Sequence, residues 1–236
     1  MVIVITGASR GIGAELALQM AEEGGHSLVL ISRNTRSLNK IQKKIAQLNN
    51  NCSCDVIQSD LSQPAGIKRV TKHIKEKYEI VDILVNNAGF LINKSFESTE
   101  TDEIERMIKI NFLAPAMLIR ELLEQLKRAE RAHVINIGSM GGVQGSLKFP
   151  GLSFYSSAKG ALATLTECLA EEYKNTDIKF NCLALGSADT EMFRSAFPGF
   201  KAPLDASGMA SFIKYFAFTG HRYFNGKILP VAVTTP

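Results

Sequence analysis

The sequence predicts an α/β fold: a doubly wound parallel sheet with helices on both faces. Three observations lead there. Short apolar runs alternate with amphipathic stretches along the whole chain, as in βα units. The second of those runs, LVLI at 28–31, is apolar throughout, as expected of a parallel strand buried on both faces. The first run, at 2–5, passes directly into a glycine-rich turn, TGASRGIG at 6–13, which opens a helix.

The remaining elements follow in order. Helix is expected at 11–24, where Gly24 and Gly25 close it. Leu38, Ile41, Ile45 and Leu48 fall on one face of a helix over 34–48. A third strand holds Val56 and Ile57 and ends at Asp60-Leu61-Ser62, and Ile67, Val70 and Ile74 mark the helix after it. Residues 80–85 read as a fourth strand ending in NNAG at 86–89, followed by one long helix over about 100–128. The fifth strand is 132–137, a glycine-rich loop spans 138–151, and another helix covers about 154–174. A sixth strand at 178–183, a loop or short helices at 186–202, a helix at 204–217 and a last strand at 226–233 complete the chain.

Composition narrows the function classes. The 236 residues are 45% apolar and 21% charged, enough for a core without disulfide or metal staples. The net charge of +4 is mild, and no basic stripe interleaved with aromatics points to nucleic acid. Cys52 and Cys54 form a CxC that no second pair answers, and the four His residues stand far apart, so no metal site is expected. No apolar run reaches membrane-spanning length, and the N-terminus enters a strand directly. A cytoplasmic protein without membrane or nucleic-acid partners is the expectation. With no linker or repeat, residues 1–236 read as one domain.

In doubly wound sheets, ligands bind beyond the carboxyl ends of the strands. The polar segments there are 6–13, 32–33, 60–61, 86–89, 138–140 and 185–190. Glycines at 7, 11 and 13 before a helix N-terminus suit a dinucleotide pyrophosphate, because the backbone can approach closely and the helix offers free N–H groups. Arg33 lies 20 residues after Gly13 with no acid at 32, 33 or 34. A carboxylate there would take the ribose 2′-OH of NAD, whereas guanidinium suits the 2′-phosphate of NADP; Arg10 is a second candidate for it. Tyr155 and Lys159, in YSSAK, share a helix face. An ammonium beside a phenol lowers its pKa from about 10 and fits it to exchange a proton with an alcohol oxygen. Ser139, after the fifth strand, offers a hydroxyl to hold that oxygen.

Together, TGASRGIG at 6–13, Asp60-Leu61, NNAG at 86–89, Asn111 in KINFLAP, Ser139 and YSSAK at 155–159 resemble the short-chain dehydrogenase/reductase family in its short, NADP-preferring form. The match covers roughly 1–190 and implies a Rossmann-type fold. It implies that Gly7, Ser9, Arg10, Gly11, Ile12, Gly13, Arg33, Asp60, Leu61, Asn86, Ala88, Gly89, Tyr155, Lys159, Gly186, Ala188 and Thr190 bind NADP(H). By the same resemblance Tyr155 is the acid/base, Lys159 binds the nicotinamide ribose and tunes Tyr155, Ser139 positions the substrate oxygen, and Asn111 holds a relay water.

Three departures stand out. The Ser139–Tyr155 gap of 16 is longer than the family usually shows, enlarging the loop beside the site. Leu185-Gly186 replaces the usual Pro-Gly, and the C-terminus ends VAVTTP without the usual Asp-Gly-Gly. The expected function is carbonyl–alcohol interconversion with NADP(H), in the reductive direction, and a non-catalytic NADP-binding sensor on the same fold is the alternative. Met192, Phe193, Phe197, Phe200 and Met209 in a substrate-lid region at about 186–215, with Phe149, Leu152 and Phe154, suggest an apolar or aromatic substrate. Ile108, Phe112, Met117, Leu118, Leu162, Leu165 and Leu169 either build a homodimer or homotetramer interface, as the resemblance implies, or cover the sheet.

Overall fold

The structure is a computed structural model that describes residues 1–233. Seven strands, β1 (Val2–Thr6), β2 (Ser27–Ser32), β3 (Ser53–Gln58), β4 (Ile83–Asn86), β5 (Ala132–Ile137), β6 (Ile178–Leu185) and β9 (Lys227–Val231), form one sheet in the order β3-β2-β1-β4-β5-β6-β9. Every pairing in it is parallel; Ile3, for example, stands beside Leu28 on one side and Ile83 on the other. The strand order reverses direction between β1 and β4, so the crevice for a ligand opens at their carboxyl ends.

The period of two along each strand sorts the core into two layers. Ile3, Ile5, Leu28 and Leu30 face α1 (Gly11–Glu23), α2 (Thr35–Leu48) and α9 (Ala206–Thr219). Val4, Val29 and Ile31 face the other way, against α3 (Pro64–Lys77), α5 (Ala114–Glu121), α6 (Leu123–Lys127) and the end of α7 (Ser153–Glu172). Strands buried on both faces explain why LVLI lacks alternation. Local chemistry sets the helix starts. Asn34 accepts from the Ser37 N–H to cap α2, Asp205 accepts from Gly208 to cap α9, and Pro64 opens α3 where no N–H partner exists.

One expected helix is broken. The stretch read as a single helix over 100–128 begins as α4 (Thr101–Ile108) and passes through a five-residue π segment, Lys109–Leu113. It then continues as α5 and, after Leu122, as α6. The Ala114 N–H reaches back five residues to the Lys109 carbonyl, and Pro115, which has no N–H, follows at once. Hydrophobic spacing does not register such a one-residue insertion. Between 186 and 205 the chain forms β7 (Ala188–Asp189), α8 (Glu191–Ala196) and β8 (Leu204–Asp205), with β7 and β8 paired in parallel. The last strand occupies only 227–231 of the 226–233 expected. Residues 234–236, the end of VAVTTP, lie outside the described residues.

Candidate active site

A cleft of about 1030 Å³ opens at the carboxyl edge of the sheet, from Arg33 and Asp60 at one end to Phe200 and Lys201 at the other. Its first wall is backbone. Gly7 adopts φ +68°, and a Cβ there would stand 2.9 Å from the Ala88 Cα. A Cβ on Gly13 would stand 2.5 Å from both the Gly7 carbonyl oxygen and Asn87 Nδ2, so the turn closes only with glycine at 13. The end of β1 is bolted to the end of β4: Thr6 Oγ1 accepts from the Asn87 and Ala88 N–H groups, and Asn87 Nδ2 donates to the Thr6 and Gly7 carbonyls. No side chain caps α1, which leaves its first N–H groups directed at the cleft.

At the outer end of this wall, Ser32 Oγ donates to Ser9 Oγ at 2.7 Å, and the exposed Arg33 lines the rim. Burial pushes the Asp60 carboxyl up, but two bonds from Ser62 and the nearby Arg33 and Arg106 outweigh it, so the group stays below its ordinary value. Leu61 is buried beside it and also lines the cleft.

The centre of the cleft holds Ser139, Tyr155 and Lys159. Ser139 follows β5, and its hydroxyl accepts from the Gly141 N–H at 3.3 Å. Lys159 is buried, donates to the Ile137 carbonyl at 2.6 Å and has its pKa lowered to about 8 by burial. Its ammonium stands 5.9 Å from the centre of the Tyr155 ring. Burial pushes the Tyr155 phenol up to about 12, against a smaller opposing pull from the Ser139 hydroxyl. The Lys159 ammonium is directed at a backbone carbonyl, and desolvation of the phenolate dominates at Tyr155.

The far wall is made of side chains. Phe193, Phe197 and Phe200 step along it with ring centres 5.3 and 6.4 Å apart, and Leu91, Phe149, Pro150, Leu152 and Met192 complete it. The enlarged loop after Ser139 is folded. Ser146 Oγ donates to the Met140 and Val143 carbonyls, Lys148 donates to Val143, and the Lys94 N–H donates to Gly151. The extra residues thus extend the wall, and Ser139 stays beside Tyr155. Without the usual proline, Leu185 continues β6, and the Gly186 N–H donates to Val231 in the neighbouring strand.

Residues 1–199 match the family model for short chain dehydrogenase. The chain belongs to the short-chain dehydrogenase family. It is 30% identical over 198 residues to a rat protein named dehydrogenase/reductase SDR family member 7B, covering 81% of this chain. The match spans only 59% of the rat protein's length. A short chain dehydrogenase from Salmonella enterica serovar Typhi superposes with a TM-score of 0.88 at 26% identity, over 97% of this chain and 94% of its own. An alcohol dehydrogenase from the archaeon Thermococcus sibiricus, complexed with 5-hydroxy-NADP, gives 0.87 at 27% identity, over all of this chain and 98% of its own. The family is one of oxidoreductases that use a nicotinamide cofactor.

In this short-chain dehydrogenase the cleft gathers Gly7, Ser9, Arg10, Gly11, Ile12, Gly13, Arg33, Asp60, Leu61, Ala88, Gly89, Ser139, Tyr155, Lys159, Gly186, Ala188 and Thr190. Two of the expected residues stand behind it. Asn86 is buried in the sheet and donates to Asn136, which donates to Thr166; its neighbour Asn87 lines the cleft instead. Side chains alternate across a strand, so of two adjacent asparagines only one can face the opening. Asn111 has no exposed surface. Its amide accepts from the Phe90 N–H and donates to the Phe90 and Met107 carbonyls, bracing the segment after Gly89 from the π segment. Thr190 packs against Gly11, and its hydroxyl caps α8 by accepting from Phe193. The sequence reading missed Thr6, whose place just before the glycines was the available signal, and Glu191, for which there was none.

No group of three or more His, Cys, Asp or Glu side chains among the described residues could hold a metal ion. No helix among them is long and apolar enough to cross a membrane.

Proposed function

We propose that this short-chain dehydrogenase is an NADP(H)-dependent carbonyl reductase, interconverting a carbonyl and a secondary alcohol. The observation that carries the reading is that Ser139 and Tyr155 stand together in one cleft with a glycine cradle and an aromatic wall. The cradle suits a dinucleotide, since the Gly7 and Gly13 positions have no room for a side chain and α1 presents free N–H groups beside them. Arg33 and Arg10 on the rim favour a 2′-phosphate. NADPH, when bound, supplies the hydride that reaches the carbonyl carbon.

The chain's own residues do the rest. Ser139 donates a hydrogen bond to the substrate oxygen and holds it against Tyr155. Tyr155 then gives its phenolic proton to that oxygen as negative charge builds there. A phenol held protonated by burial suits this reductive direction. Lys159, which lines the cleft beside Tyr155, would hold the nicotinamide ribose. Asn111 is a positioning residue that fixes the backbone at Phe90. We read α8 and its flanks as a lid over an apolar or aromatic carbonyl substrate, within one domain and in the cytoplasm. We further infer a homodimer or homotetramer built on Ile108 and Leu113, which α4 and the π segment leave exposed; Leu118 and Leu162 are buried within the subunit. Light scattering checks this assembly, and a monomer at micromolar concentration removes it.

The test of the reaction is purified protein with NADPH and a panel of ketones and aldehydes, followed by loss of NADPH absorbance. Turnover that Tyr155→Phe abolishes supports the reading. Tight NADPH binding with no single-turnover oxidation by any carbonyl would instead identify a cofactor-binding protein without catalysis.

A further inference from the structure

Two contacts fasten α8 across the cleft. At its first residue, Glu191 Oε1 pairs with Arg10 Nη1 at 2.5 Å. At its last, the Ala196 carbonyl accepts from Asn93 Nδ2 at 2.9 Å. Glu191 and Arg10 both line the cleft, and their side chains are 64% and 57% exposed, so the pair spans the opening and is not part of the core. Arg10 belongs to the glycine turn and is the last residue before α1. The other rim guanidinium, Arg33, makes no ion pair among the described residues. Two arginines therefore line the rim, and a carboxylate from α8 already neutralises one of them.

We propose that Glu191 competes with the cofactor's 2′-phosphate for Arg10, which makes it a residue that sets the preference for NADP(H) over NAD(H) and ties that preference to the seating of α8. The proposal rests on the NADP(H) reading above. A phosphate monoester carries nearly two charges at neutral pH and three acceptor oxygens, so it is a stronger guanidinium partner than a single carboxylate. An exposed ion pair is weak enough to be exchanged for it. When Arg10 turns to phosphate, α8 keeps its Asn93 anchor and loses its Glu191 anchor. A cofactor without the 2′-phosphate offers Arg10 nothing at that position, and the Glu191 pair persists.

The experiment is a fluorescence titration of the intact protein with NADPH and, separately, with NADH. It compares the parent with Glu191→Gln, Arg10→Met and the double variant, with circular dichroism confirming that each is folded. Glu191→Gln is expected to tighten NADPH about threefold, the scale of one exposed ion pair, and to leave NADH unchanged. In the Arg10→Met background the same substitution is expected to leave NADPH unchanged. Weaker or unaltered NADPH binding in Glu191→Gln overturns the proposal. So does an equal change for both cofactors, which would make Glu191 a general repulsive charge or a simple strap. If the parent binds neither cofactor, the NADP(H) reading itself falls; if it prefers NADPH and Glu191→Gln has no effect, only the competition does.

Discussion

The two walls of the cleft are built in opposite ways. The glycine-turn wall is backbone, locked by Thr6 and Asn87 and so closely approached that a methyl group at 13 would meet a carbonyl at 2.5 Å. The α8 wall is side chain: three phenyl rings on a six-residue helix and the segment after it, anchored by one ion pair and one hydrogen bond from the Asn93 amide, with Phe200 71% exposed. Backbone recognition of a constant ligand tolerates almost no substitution. Side-chain recognition on a short element can be refitted without disturbing the sheet. The molecule is thus conservative where it would hold its cofactor and adjustable where it would meet its substrate.

Substitutions can break or sharpen that contrast. Tyr155→Phe, between the walls, should remove most turnover, by roughly 10²- to 10⁴-fold, the usual worth of a positioned proton donor. NADPH affinity measured by fluorescence should stay within a few-fold of the parent's.

The scaffold beneath both walls has its own weak point in acid. His133 is buried at the start of β5, bonded to the Ala217 carbonyl and to Asn181, with His221 packed against it, and burial lowers its pKa to about 4. Above pH 6.5 it is neutral in both folded and unfolded chains and has no effect. Between about 6.5 and 4 the unfolded chain takes up a proton that the folded one refuses. Stability should therefore fall by about 3 kcal/mol over that window and level off below it. Urea unfolding across this range measures the decline, and His133→Asn should flatten it.

Gly13→Ala tests the rigid wall directly. It should lower stability by about 1–3 kcal/mol through overpacking and weaken NADPH binding at least tenfold, read by thermal unfolding and titration. The smallest effect belongs to the adjustable wall. Phe200→Ala should raise the KM for an aromatic ketone about fivefold, the worth of one aromatic contact, while NADPH affinity and Tm stay put.

The same contrast explains what could be read from the chain alone. Strand and helix periodicity predicted the sheet, and the glycine spacing predicted the cradle, because both record strict backbone demands. The break at 109–113 was invisible, since a π insertion shifts register by one residue without altering apolar content. The asparagines at 86 and 87 could not be assigned to faces before the register of β4 was known. The placement of Lys159 on the Ile137 carbonyl, which leaves Tyr155 to desolvation, depends on side-chain positions that no motif records. Nor could spacing pair Arg10 with Glu191, 181 positions apart in sequence.

The bond from the Gly186 N–H to the Val231 carbonyl bears on how the substrate wall is held. The glycine turn and the Ser139–Tyr155 pair lie wholly within the first two-thirds of the chain, but α1, which the turn opens, packs on α9 from the last third. The segment that carries α8 is held from two sides: Arg10 and Asn93 hold the helix, and the C-terminal strand, zipping onto β6, holds Gly186 just before it. A C-terminally clipped chain would then lack the strand that holds residue 186, and the substrate wall would rest on its two side-chain contacts alone.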